Sequence, residues 1–208
     1  GRFTADQLWV TQNEVEGGRC QTGGNTLNVT TADNPLTACQ LKDPLDKSFT
    51  DVAVEVQVAL ANGCAGIWAR TGPKGYALLV CKDRTELHRL ANDAPSDTTR
   101  LARWPLDGVP AGTVVGLLVQ GKSLTVYVNG KALPPVQDDT IKSGRTNAGA
   151  IADGTNHADV VFTDFRVFSP SRTTAGPAPT PGARSKSATP SASVWPSGSP
   201  SPSARVSA

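Results

Sequence analysis

Residues 51–82 read DVAVEVQVALANGCAGIWARTGPKGYALLVCK, and the alternation within this stretch decides the fold class. Val52, Val54, Val56, Val58 and Leu60 fall on one side of an extended chain, and Asp51, Ala53, Glu55, Gln57 and Ala59 on the other. Successive side chains of a strand point to opposite faces, so a period of two marks a strand with one buried face. CAGIWAR (64–70), GYALLVCK (75–82), TELHRL (85–90), TVVGLLVQ (113–120), SLTVYVNG (123–130) and HADVVFTDFRVF (157–168) read as further strands. The turn pairs Asn62-Gly63, Gly72-Pro73, Gly121-Lys122 and Asn129-Gly130 punctuate them. No window carries a 3.6-residue apolar stripe; LTACQLKD (36–43) and the stretch from Asp138 to Lys142 are the places where a single helical turn fits. Many short strands with regular turns predict an all-β sandwich or jelly roll.

The turns also predict a register. Asn62-Gly63 suits a type I′ hairpin, whose two central residues need positive φ. It would set Glu55 opposite Arg70, Gln57 opposite Trp68 and Val58 opposite Ile67. The four-residue turn Thr71-Gly72-Pro73-Lys74 would pair Arg70 with Gly75 and bring Cys64 opposite Cys81. Directly opposed strand residues have Cα atoms about 4.5–5.5 Å apart, within disulfide range. The expected bridges are therefore Cys64–Cys81 and, by elimination, Cys20–Cys39. A zinc site is the competing use of four cysteines, but there is no CxxC pair and both histidines lie elsewhere in sequence. Disulfides point to an oxidising, extracellular or extracytoplasmic compartment.

The same register sorts the faces. Val52, Val54, Val56, Val58, Ala65, Ile67, Ala69, Tyr76, Leu78 and Val80 form a continuous apolar face, the expected core. Glu55, Gln57, Trp68, Arg70, Ala77 and Leu79 form the other. The Gly121-Lys122 hairpin pairs Gln120 with Ser123, turning Val115, Leu117, Val119, Leu124, Val126 and Val128 inward and Tyr127 outward.

Composition divides the chain of 208 residues near Phe168. Residues 169–208 are almost wholly Ser, Pro, Ala, Thr and Gly and hold half of the prolines, a composition that cannot offset its conformational entropy by burial. The expectation is a β-sandwich over 1–168 and a disordered linker or tail over 169–208, with Trp195 a stray aromatic. Removing the tail's four cations, Arg172, Arg184, Lys186 and Arg205, from the net charge of +2 leaves −2. A domain of that charge lacks the basic footprint of a nucleic-acid binder. No run approaches the roughly 18 apolar residues of a membrane helix, so no membrane segment is expected in this chain.

The run from Phe49 through GCAGIWAR, GYALLVC, LTVYVNG, GAIADG and VVFTDFRVF resembles the concanavalin A-like (laminin-G-like) jelly-roll modules of bacterial extracytoplasmic proteins. It is similar in particular to modules joined through Pro/Ser-rich linkers to membrane-spanning serine/threonine kinases or secreted sugar-active enzymes. The resemblance covers roughly Phe49 to Phe168. It implies an antiparallel two-sheet jelly-roll sandwich with carbohydrate bound on a concave face or at the loop rim. A related enzymatic branch, the 3-keto-disaccharide hydrolases, carries acidic residues in the strand after the glycine-arginine hairpin. Here that strand is GYALLVCK, with no carboxylate before Asp83.

The residues themselves favour binding over catalysis. Glycosidases need two carboxyl groups about 5–9.5 Å apart. Asp51 and Glu55 share a face, but four strand residues place them about 13 Å apart. His88 and His157 have no neighbouring nucleophile motif and read as structural. Candidate ligand-binding residues are Trp68, Arg70, Glu55, Gln57 and Tyr127, because aromatic faces stack on sugars while amides and charges fix hydroxyls. The competing reading is a plain Glu55–Arg70 surface ion pair and a Trp68 that covers the disulfide. Asp138, Asp139, Asp153 and Asp159 are the thin basis for a Ca²⁺ site, against solvated turn aspartates, and no cofactor is expected. The expected partner is a carbohydrate or cell-wall polysaccharide, the role a binding or sensing module; a hydrolase of the same fold and a structural spacer are the alternatives.

Overall fold

The computed structural model describes residues 8–10, 12–15, 18–32, 35–42, 46–91, 98–154 and 157–170. Residues Gly1–Ser171 form one compact unit. The tail expected over 169–208 lies, from Ser171 on, outside the described residues.

The elements are strands in the order β1 (Gln12–Val15), β2 (Gly18–Gly23), β3 (Thr26–Thr31), β4 (Leu36–Cys39), β5 (Val52–Asn62), β6 (Cys64–Thr71), β7 (Gly75–Val80), β8 (Arg84–Leu90), β9 (Thr98–Pro105), β10 (Thr113–Gln120), β11 (Ser123–Val128), β12 (Lys131–Ala132), β13 (Val136–Gln137), β14 (Arg145–Ile151) and β15 (Asp159–Phe168). The nine-stranded sheet has the order β1-β2-β3-β15-β5-β10-β11-β12, with β13 also on β11; the six-stranded sheet has the order β4-β14-β6-β7-β8-β9. The result is the antiparallel two-sheet jelly roll. Leu36–Cys39 is a strand of the second sheet rather than a helical turn, and no helix forms between Asp138 and Lys142.

The alternating residues meet between the sheets. Val52, Val54, Val56 and Val58 of β5 and Ala65, Ile67, Ala69, Tyr76, Leu78 and Val80 of β6 and β7 are all in one buried cluster. Each fully buried aliphatic side chain stabilises the fold by about 1.5–3 kcal/mol relative to exposure. Cys20 and Cys39 join β2 of one sheet to β4 of the other, with Cα atoms 5.8 Å apart. Cys64 and Cys81 join neighbouring strands within the six-stranded sheet, with Cα atoms 4.3 Å apart.

One expected pairing is not formed. β5 pairs with β10 and β15, whereas β6 pairs with β7 and β14, so Asn62-Gly63 is a corner between sheets and not a hairpin. Gly63 has φ +70°, and a Cβ there would lie 2.5 Å from the Cβ of Ala158 and from the Ile151 carbonyl oxygen. The glycine is required, as the turn chemistry says, but by a crossing. Local sequence does not separate the two outcomes. Both put the valines of β5 and Ala65, Ile67 and Ala69 in one core, side by side in a hairpin and face to face in the sandwich. The second hairpin forms as expected, with Ala65 opposite Val80 and Ile67 opposite Leu78. Gln120 likewise pairs with Ser123 in the β10–β11 hairpin.

Candidate functional site

The corner at Gly63 separates the five residues expected to bind ligand. Glu55, Gln57 and Tyr127 point out from the nine-stranded sheet, while Trp68 points out from the six-stranded one, across the core. Glu55 does not pair with Arg70. Its Oε1 lies 3.4 Å from Nη1 of Arg166 on β15, and burial, partly offset by Arg166 and reinforced by Asp164, raises its pKa. Gln57 donates from Nε2 to Asp164 at 3.2 Å.

Arg70 is not on a face at all. Between β6 and β14, Thr71 pairs with Arg145 and Ala69 with Thr146, which leaves Arg70 as the extra residue of a bulge, with φ +51°. The bulge turns its side chain inward, where it is 1% exposed. It donates from Nε to the Thr50 carbonyl at 2.6 Å and from Nη1 to the Ile141 carbonyl at 2.7 Å, with Asp51 at 3.4 Å. This is a structural anchor.

Trp68 does point outward, as its alternation with Ile67 and Ala69 requires. It is nevertheless only 5% exposed, against the expected free aromatic platform. The indole leans over Gly66 on the same strand, where any Cβ would collide with its six-membered ring. The register places further outward residues beside it. Gly149, Gly66, Leu79, Glu86 and Arg103 form one cross-strand row, and Asn147, Trp68, Ala77, His88 and Arg100 the next.

Glu86 is the centre of this face. It is 7% exposed, a buried carboxylate on the solvent side of a sheet. Its Oε1 lies 3.1 Å from Arg84 Nε, 3.5 Å from Arg103 Nε and 3.6 Å from Arg100 Nη1. Its Oε2 lies 3.0 Å from His88 Nε2. Since the carboxylate only accepts, the His88 proton sits on Nε2, and the buried Nδ1 has no partner. Burial acts to raise the Glu86 pKa, but the hydrogen bonds from His88 and Arg84 and the charge of Arg84 outweigh it and hold the group below the usual carboxylate range. Arg84 also binds Asp83 and Asp153, each at 2.8 Å, so its guanidinium is fully engaged. Arg100 and Arg103 are about half exposed, at 53% and 51%. Neither makes a short hydrogen bond to Glu86, so both keep donors exposed on the outer face of the sheet.

His88 thus has a structural partner in Glu86, and His157 faces Asn62 Nδ2 at 3.2 Å. The aspartates weighed for calcium are dispersed. Asp138 accepts from Tyr76 and Arg89 at 2.8 and 2.6 Å, Asp139 pairs with Lys142, and Asp153 with Arg84. Cys64, Cys81 and Asp153 bring three ligand-type atoms together, but the two sulfurs are bonded to each other.

The sequence matches no protein-family model and no curated protein. Among solved structures, the chain is similar to the carbohydrate-binding module CBM66 from Bacillus subtilis, with TM-score 0.57 and 15% identity over 76% of this chain and 94% of that one. It is also similar to a protein of unknown function with a galectin-like fold from Bacillus subtilis, with TM-score 0.59 and 12% identity over 81% and 92%. A third is a β-1,3-1,4-glucanase (lichenase) derived from a mouse hindgut metagenome, with TM-score 0.55 and 15% identity over 80% and 94%. At these identities the likeness is one of fold, the two-sheet jelly roll.

Proposed function

We propose that this domain is a non-catalytic, extracytoplasmic carbohydrate-binding module whose ligand lies on the outer face of the six-stranded sheet. The observation that carries the reading is Glu86, held nearly buried on that face by Arg84 and His88, with the half-exposed Arg100 and Arg103 beside it. Burying a charge needs dedicated partners, and a purely structural spacer has no use for one at mid-sheet. Arg100 and Arg103 would donate to sugar hydroxyls. Trp68, flattened on Gly66, would form an apolar floor rather than a free stacking ring. Two disulfides favour an oxidising compartment, and the Pro/Ser-rich stretch after β15 suits a module tethered to a larger protein, such as the sensor part of a membrane protein. Arg70 has no ligand role here, and Glu55, Gln57 and Tyr127 would need a separate site on the opposite face.

The hydrolase alternative draws on the lichenase likeness, and the geometry of this cluster speaks against it. Glycoside cleavage uses two carboxyl groups with space for the bond between them, one of them protonated. Asp83 and Asp153 connect to Glu86 through Arg84, a cation in the place a substrate would need. With its pKa held low, Glu86 is not suited to act as the protonated carboxyl of such a pair.

A panel of cell-wall and plant polysaccharides tests the proposal by affinity electrophoresis. At least one should bind in the micromolar to millimolar range without release of reducing sugar. Arg103→Ala and Arg100→Ala should each weaken that binding roughly tenfold, the effect of losing a charge-assisted hydrogen bond. Unchanged affinity in both variants would place the ligand elsewhere.

A further inference from the structure

About 16 Å along β6 from Gly66, taking the usual strand rise, the six-stranded sheet ends in a cleft of about 800 Å³. The β6–β7 turn and the segment leading into β14 form its walls. Lys74, Lys142 and Arg145 line it, with hydroxyls from Ser48, Thr71, Thr140 and Ser143, and among the described residues no carboxylate does.

The walls are fixed from beneath. Arg70 binds the Thr50 and Ile141 carbonyls, and Tyr76 donates to Asp138 and accepts from the Ile141 N–H at 3.2 Å. Phe49 and Gly144 exchange two backbone hydrogen bonds, at 2.8 and 3.2 Å. Gly144 packs so tightly on the Arg70 carbonyl that a Cβ has no room. The cations at the mouth, by contrast, are loosely held. Lys142 pairs with Asp139 at 3.2 Å with both side chains over 70% exposed, and Arg145 pairs with Asp46 at 3.3 Å while 59% exposed. Lys74 has no ion pair among the described residues. Exposed pairs of this kind contribute little and exchange readily for a better anion.

We infer that this cleft is a second binding site, and that it takes an oxyanion, a sulfate or a carboxylate, carried on an acidic polysaccharide. Preorganised walls, hydroxyl donors and three cations in the lining suit such a group, since charge-assisted hydrogen bonds are the strong ones. The site goes beyond the sheet-face reading and does not depend on it.

The intact chain should be tested against dextran sulfate, polygalacturonate and uncharged dextran at low salt and near 0.15 M, where the Debye length is about 8 Å. Binding to at least one anionic polymer and not to dextran is expected, weakening with salt, and which polymer binds separates sulfate from carboxylate. The triple variant Lys74→Ala/Lys142→Ala/Arg145→Ala should lose roughly tenfold or more of that affinity. A control removing three exposed lysines elsewhere, Lys82→Ala/Lys122→Ala/Lys131→Ala, should stay within about twofold. Thermal midpoints of both variants should match the native one, because every altered side chain is exposed. Binding to any polysaccharide identified on the sheet face should survive in the cleft variant, which reads the two sites separately. Equal losses in the two triples, or no binding to either anionic polymer, would overturn the inference.

Discussion

Arg100 and Arg103 point to the same face of β9 although they stand three positions apart, a spacing that in a regular strand sends side chains to opposite faces. Glu86 pairs with Arg103 and Leu87 with Ala102, but His88 pairs with Arg100, so Leu101 is an extra residue. A bulge re-aims the side chains beyond it, and here it brings a second guanidinium of β9 to Glu86, beside that of Arg84 on β8. Both contacts are long and both arginines half exposed. Arg100→Ala and Arg103→Ala should therefore each cost at most about 1 kcal/mol of stability, measured by urea unfolding. A loss above about 2 kcal/mol in either would make that arginine structural, at odds with a ligand-facing donor.

Two carboxylates should respond to pH with opposite signs. The folded-state pKa of Glu86 is depressed, so its contribution to stability is complete above about pH 4.5 and is lost as pH falls through the lower folded value. The stability advantage of the native protein over Glu86→Gln should be constant near neutrality and shrink in acid. Glu55 has a raised pKa, so ionising it disfavours the fold as pH rises above 4.5. Native stability relative to Glu55→Gln should fall over that interval. Parallel pH profiles for the two variants would contradict the assignment of their environments.

Much of the fold is written in residue alternation, and much of the site is not. The β6–β7 register follows from Thr71–Lys74, and it alone places Cys64 opposite Cys81; the Asn62-Gly63 hairpin was unnecessary to that bridge and is not formed. β9 is illegible in the sequence because it is an edge strand, exposed along much of its length and carrying arginines where alternation calls for apolar residues. In TLNVTT of β3, Leu27, Val29 and Thr31 do alternate into the core, a signal masked by the small polar residues between them. Bulges at Arg70, Leu101 and Asp164 are the deeper obstacle. Each shifts the parity on which any reading of inward and outward residues depends, and long-range pairing, not local sequence, places them. Arg70, an expected ligand contact by alternation, is therefore a buried anchor, and the shared face of Arg100 and Arg103 has no signature in the local sequence.

Trp68 should now be costly to remove. An outward tryptophan with 5% exposure behaves as a packed residue, and Trp68→Ala is expected to cost about 3 kcal/mol, near the lower end for buried aromatics. Gly66→Ala should displace the indole, because the added Cβ occupies its space. Its effect on the thermal midpoint should therefore approach that of Trp68→Ala. If Gly66→Ala is silent, the indole does not rest on the strand as described. Loss of sugar binding in Trp68→Ala would not by itself identify a contact residue, so the arginine variants are the cleaner probes.

Arg70 permits the sharpest test of a bulge. Its guanidinium holds the Thr50 and Ile141 carbonyls together, and its φ of +51° lies in the left-handed region. Arg70→Ala removes the donors and keeps the backbone strain, and should cost about 3–5 kcal/mol, as breaking buried charge contacts does. Arg70→Lys keeps a charge, but a single ammonium cannot reproduce a fork that reaches two carbonyls on separate segments, so most of the loss should remain. Arg70→Gly loses the same contacts but relieves the φ, which costs an L-residue roughly 1–2 kcal/mol. Glycine should accordingly be the milder replacement, by about 1 kcal/mol over alanine, reversing the order found in ordinary strands and helices, where glycine is the weaker residue. Equilibrium unfolding of the three variants reads this directly. Alanine at or above glycine in stability would mean that position 70 is a regular strand residue. The inward turn of the guanidinium, and with it the fixed wall of the basic cleft at Ile141, would then need another cause.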